Sequence, residues 1–264
     1  MALIAMKLKK VMAVLMAAVM ILMLAACQSN SSNNGQGNNG QAEDNQNTVS
    51  ENENENTSEP AEDPAENTPA TDLTTLTVGQ EDVKFGNYTW KVLDVQDGKA
   101  LLLTEDIIEF RPYHKSCTEI TWADSDIRSY LNSDFITNNF SEEEQQKIIE
   151  TAVTTPDNEW FNVEGGEDTQ DKVFLLSIEE VVKYFGDSGQ LENGNPDSEY
   201  FIDDEYNEGR IAYNEGVAEW WFLRSPGGEA GRAADMSDVG TVILYGDCTN
   251  AGHGTRPALW VSMQ

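Results

Sequence analysis

The run Glu219-Trp220-Trp221-Phe222-Leu223-Arg224-Ser225-Pro226-Gly227-Gly228 constrains the fold more than any other stretch. Four apolar residues in a row, bounded by turn formers, read as a strand covered on both faces. The arginine beside them cannot lose its charge. It needs a carboxylate, backbone carbonyls or water. The run has an echo in Thr255-Arg256-Pro257-Ala258-Leu259-Trp260-Val261. Two such stretches require a sizeable core. Trp220 and Trp221 alternate across an extended chain, so one faces that core, and the other either packs in it too or, if exposed, could stack a sugar or grip a peptide.

The chain has three compositional parts. Residues 1–26 carry Lys7, Lys9 and Lys10, then the uncharged stretch from Val11 to Leu24. Lysines ahead of a short apolar run that ends in small residues make an export signal. The tetrad Leu24-Ala25-Ala26-Cys27 resembles the bacterial lipoprotein box, which implies lipid attachment to the Cys27 sulfur and a membrane anchor facing outside the cytoplasm. Residues 27–76 are rich in Asn, Glu and Pro, including Glu51-Asn52-Glu53-Asn54-Glu55-Asn56. A segment with so little to bury is expected to stay a disordered acidic tether. Residues 77–264 have a globular composition and one domain's length.

Charge narrows the partners. The formal net charge is −31, and 37 of the 47 acidic residues fall in the domain against 13 of the 16 basic ones. Such a surface repels nucleic acid and favours cations or basic partners.

Within the domain, Trp90 to Val95 and Ala100 to Thr104 flank Asp97-Gly98, a hairpin turn signal. Ser125 and its neighbours cap a helix bearing Ile127, Tyr130, Leu131 and Phe135. Ser141…Glu144 and Ser177…Glu180 are capping boxes, the second followed by a helix that Gly186 ends. Val173 to Leu176 reads as a buried strand. Asp187 to Glu219 reads as a long polar loop, the usual place for a functional site. Strands at both ends with helices between them give an α+β class, with the closing strand expected to pair with Trp90–Val95.

These blocks also carry a resemblance. Trp90-Lys91-Val92-Leu93-Asp94-Val95, Thr121-Trp122, Asp171-Lys172-Val173-Phe174-Leu175-Leu176-Ser177, Trp220-Trp221…Leu223-Arg224-Ser225-Pro226-Gly227 and Arg256-Pro257-Ala258-Leu259-Trp260 are similar to a bacterial domain family of unknown function found in lipoproteins and surface proteins. More distantly, the layout resembles the C-type-lectin-like fold, shared with formylglycine-generating enzymes. That resemblance implies paired terminal strands, flanking helices and a ligand site on the long loop. It makes Trp221, Arg224, Asn195, Asp197, Asp203 and Asp204 the candidate ligand-binding residues. Asn195-Pro196-Asp197 faintly echoes the triplet of calcium-dependent sugar sites, so calcium is one alternative cofactor.

Cys117 and Cys248 are the cysteines beyond the anchor, and His114 and His253 lie close to them in sequence. A disulfide, two free thiols, or a zinc site of His114, Cys117, Cys248 and His253 all stay open. The chain lacks a phosphate-binding glycine loop, a Gly-x-Ser-x-Gly elbow and a His-Glu-x-x-His helix, and no catalytic residue stands out. The expectation is a lipid-anchored module that binds a surface glycan, peptide or protein. A cell-envelope enzyme, hydrolytic or metal-dependent, and a structural part of a surface assembly are the alternatives.

Overall fold

The computed structural model describes residues 71–191 and 201–264. The export signal, Cys27 and nearly all of the tether lie outside the described residues, as do Asn195 and Asp197.

The domain is mixed α/β, made mostly of short strands in largely antiparallel sheets. The first sheet starts from β1 (Val83–Phe85), β2 (Tyr88–Gln96) and β3 (Lys99–Thr104). Asp97 and Gly98 sit at φ 50° and 73°, the left-handed pair that a two-residue hairpin turn demands. The run Ala100-Leu101-Leu102-Leu103 is wholly buried because β3 is central. Its outer neighbour is the closing strand β16 (Ala258–Ser262), paired from Ala258↔Leu103 to Ser262↔Lys99. The closing strand therefore joins the second arm of the hairpin, not Trp90–Val95. Leu101–Leu103 is the more apolar arm and takes the central position, whereas β2 is half exposed.

The far edge of β16 is covered by two short strands, not one long one. After the hairpin come β4 (Glu109–Phe110), then β5 (Ile148–Ile149), β6 (Thr151–Val153), β7 (Thr169–Asp171) and β8 (Val173–Phe174). β5 pairs with Trp260 and Val261, and β8 with Ala258 and Leu259.

The helices are short. Ser125 caps α1 (Asp126–Leu131), its Oγ accepting from Arg128 N at 3.2 Å. The helical spacing that runs on to Phe135 is broken into α1 and α2 (Asp134–Asn139). Asn132 causes the break. Its side chain donates to the Arg128 and Val173 carbonyls and accepts from the Lys172 and Val173 amides, so it is committed to β8. α3 (Glu142–Lys147) and α4 (Ile178–Phe185) both open with complete capping boxes, and Gly186 ends α4 at φ 128°.

The second sheet runs β4, β15 (Gly254–Thr255), β12 (Trp221–Pro226), β13 (Arg232–Met236), β14 (Val242–Cys248) and β9 (Phe201–Ile202). The expected loop from Asp187 to Glu219 contains structure. Its described part holds β9, α5 (Asn207–Arg210), and the hairpin of β10 (Ala212–Asn214) and β11 (Val217–Glu219). Both sheets feed one continuous core that includes Trp90, Leu102, Leu176, Trp221, Phe222 and Leu259.

The two arginines flanking the apolar runs are core residues. Arg224 is 3% exposed and donates to the Leu175 and Thr154 carbonyls at 2.8 Å each and to Glu180. Arg256 donates to the Thr104 and Glu105 carbonyls and lies over the Trp221 ring at 5.1 Å. Burial pulls its pKa down to about 10, against the pull of Asp106 and Glu105.

Candidate functional site

Trp220 is the residue between β11 and β12, and extended backbone fixes its direction. Trp221 turns inward, is fully buried and donates its indole N–H to the Arg210 carbonyl. Trp220 therefore turns outward and is 37% exposed. Its ring stacks on His253, with centroids 5.9 Å apart and planes 27° from parallel. Phe222 packs on the same imidazole at 4.7 Å. His253 is delivered by the turn between β14 and β15. The next residue must be Gly254, since a Cβ there would lie 2.7 Å from the Ile107 side chain, and Gly254 N donates to Trp220 O at 2.7 Å.

Behind the imidazole stand two carboxylates. His253 Nε2 lies 3.4 Å from Asp235 Oδ2 and 3.3 Å from Asp247 Oδ2. Asp235, on β13, is fully buried, and its polar neighbours are the His253 imidazole and the Asp247 backbone. Burial raises the Asp235 pKa above the usual carboxylate range, and the neighbouring imidazole only partly offsets it. The fold therefore holds this proton more tightly than the unfolded chain does. It gains stability as pH falls and loses it as the carboxyl ionises. Asp247, on β14, is half exposed. Together Phe110, Glu219, Trp220, Asp247, Gly252 and His253 line a cleft of about 230 Å³. A larger cleft of about 400 Å³ runs past Asp157, Trp160 and Leu191. It has no comparable pairing of an exposed aromatic with a buried charge.

The residues singled out from sequence fall in different places. Trp221 and Arg224 are core residues, so neither presents a surface to a ligand. Asp204 forms a buried ion pair with Arg210 at 2.9 Å, and this pair with its other hydrogen bonds lowers its pKa despite desolvation. Asp203 is exposed and accepts from Asn207 Nδ2 at 2.6 Å. Neither aspartate lines the Trp220 cleft.

Cys117 and Cys248 are joined by a disulfide, their Cα atoms 5.5 Å apart. Each histidine is occupied separately, His114 Nδ1 with Asp126 Oδ2 at 2.9 Å and His253 with the two aspartates. With both sulfurs in the bond, the four-residue zinc arrangement is not formed. Among the described residues no group of three or more His, Cys, Asp or Glu side chains is poised to hold a metal ion.

Sequence reasoning chose Trp221 rather than Trp220 as the outward tryptophan, missed Asp235 and Asp247, and placed His253 only as a zinc ligand. One signal was available. Ala233-Ala234-Asp235-Met236 sets a carboxylate inside an apolar run, where an acid is costly unless it has a task.

Fold and cleft together define a strand-rich, mixed α/β domain with an aromatic, acidic cleft beside its second sheet. Residues 97–263 match the family described as "Domain of unknown function (DUF6273)", and the chain belongs to that family. No curated protein and no solved structure matches it.

Proposed function

We propose that this is a lipid-anchored, extracytoplasmic bacterial protein whose domain binds a surface glycan, peptide or protein, with the Trp220–His253 cleft as the seat. One observation carries the reading. An exposed tryptophan is stacked on a histidine that also contacts a buried carboxyl, Asp235. An aromatic face offers stacking to a sugar ring or a side chain. The carboxylates at its rim offer hydrogen-bond acceptors. A buried carboxyl costs stability, and functional sites are where such costs are kept.

The C-type-lectin-like reading belongs to the same proposal. It is supported by the first and last strands sharing a sheet and by the cleft lying on the turns beside the Asp187–Glu219 region. The anchor rests on the lysines, the apolar run and Leu24-Ala25-Ala26-Cys27. Cys27→Ser is expected to move the protein from the membrane fraction to the soluble one, read by fractionation and immunoblotting. A variant that stays in the membrane fraction removes the anchor.

The site itself is tested by screening the full chain on glycan and peptide arrays and repeating the screen with Trp220→Ala. Loss of a central aromatic contact costs about 2 kcal/mol, or roughly 30-fold in affinity. Trp220 is exposed, so the variant should keep its melting temperature. Hits that bind Trp220→Ala as well as wild type would remove the cleft from the reading.

A further inference from the structure

We infer that the Trp220–His253 cleft takes a cationic side chain, a guanidinium or ammonium group, from a basic peptide segment of a protein partner. The inference rests on the cleft being the binding seat and names what fills it.

The charge around the cleft is one-sided. Glu219 and Asp247 stand in its wall and Asp235 lies behind His253. Two neighbouring cations are already committed. Arg232 is 3.8 Å from Asp247 but is held by Glu229 at 2.9 Å and by the Gly246 carbonyl at 3.0 Å. Arg111 is held by both oxygens of Glu109 and lies 3.5 Å over the Tyr130 ring. A cation entering the cleft meets the Trp220 face and the Asp247 carboxylate together. That pairing strengthens both attractions where water is partly excluded. The wider field has the same sign, since acidic residues outnumber basic ones by 47 to 16 over the chain.

The surroundings favour a peptide over a small amine. Phe110 in the cleft wall is 48% exposed. Ile107 N donates to Tyr213 O at 2.8 Å, which brings the β10–β11 hairpin and its exposed Tyr213 alongside the segment that leads into β4. Flanking apolar side chains of an extended segment would lie on this row, with the cation in the cleft.

The probe is a short peptide alternating arginine and leucine, set against the same peptide with citrulline for arginine. Citrulline keeps the shape and removes the charge. Titration calorimetry on the full chain is expected to show the arginine peptide binding at least tenfold more tightly. Asp247→Asn should remove that advantage, while Asp238→Asn, an exposed site with the same change in net charge, should keep it. Equal binding of the two peptides overturns the inference. A neutral N-acetylglucosamine tetramer that binds in a Trp220-dependent way also overturns it, while leaving the cleft as the seat. If neither peptide nor sugar binds in a Trp220-dependent way, both the inference and the proposed site fall.

Discussion

Arg224→Ala is expected to destabilise the protein by about 3–5 kcal/mol, the range for removing one partner from a buried ionic network. The guanidinium is the hub of three segments. It donates to the Leu175 carbonyl after β8, to the Thr154 carbonyl after β6, and to Glu180 in the first turn of α4. The ring of Phe174 lies 5.7 Å from it. Alanine removes all three donors at once and leaves the buried Leu175 carbonyl without this partner, at a cost of about 1–3 kcal/mol, whereas Thr154 is exposed and its carbonyl can turn to water. Relaxation keeps the total below the sum. Arg224→Met should lose less, because its unbranched chain fills the space along Phe174. Urea denaturation of the three proteins reads the order wild type, methionine, alanine. A wild-type midpoint for Arg224→Ala would show that the arginine holds nothing together. Ligand binding lost at unchanged stability would return it to a contact role.

Much of the local structure is legible because its causes are local. The Asp97-Gly98 turn, the two capping boxes and the glycine that ends α4 each follow from a few neighbouring residues, and each forms as the spacing predicts. The arginines beside the apolar runs must be compensated, and carbonyls with one carboxylate do it. What is not legible depends on which segments meet. Nothing near Asn132 announces that its amide will be claimed by Lys172 and Val173, some 40 residues later, so the helix break is invisible. The closing strand has two hairpin arms to choose from, and the unbroken apolar run Ala100–Leu103, against the alternation of Trp90–Val95, is the signal that ranks them.

The site is less legible still. Adjacent tryptophans say that one faces out, not which. Carboxylates are the hardest case, because 37 of them share the domain and their roles are set by burial alone. Asp171 accepts from Trp122, Arg128 and Thr169 and is wholly structural. Asp204 is locked to Arg210. Asp235 is as buried as Asp171, yet it has only His253 and Asp247 for company. The same residue type has three fates, and only the three-dimensional neighbourhood separates them.

The Cys117→Ser/Cys248→Ser double variant is expected to lose about 2–5 kcal/mol, with the chain-entropy model giving the upper end for a separation of 131 residues. The bond ties the segment after Tyr113 to the end of β14. Hydrogen bonds already support the same junction. His114 N donates to Thr249 O at 2.8 Å, Thr249 N to Gly231 O at 2.8 Å, and Thr249 Oγ1 to Ser116 O at 3.0 Å. Three neighbouring bonds at about 1 kcal/mol each hold the native geometry once the protein has folded. The loss should therefore come mainly from a freer unfolded chain and leave the cleft in place. The turn that carries His253 begins at Cys248, and its Arg111–His253 and Gly254–Trp220 backbone bonds do not involve sulfur. Thermal melting of the double variant should show the drop, and the tryptophan fluorescence of the folded protein should match wild type. An unchanged melting temperature would mean that the unfolded chain is already constrained without the bond. A lower melting temperature with altered Trp220 emission would instead make the disulfide a support of the cleft.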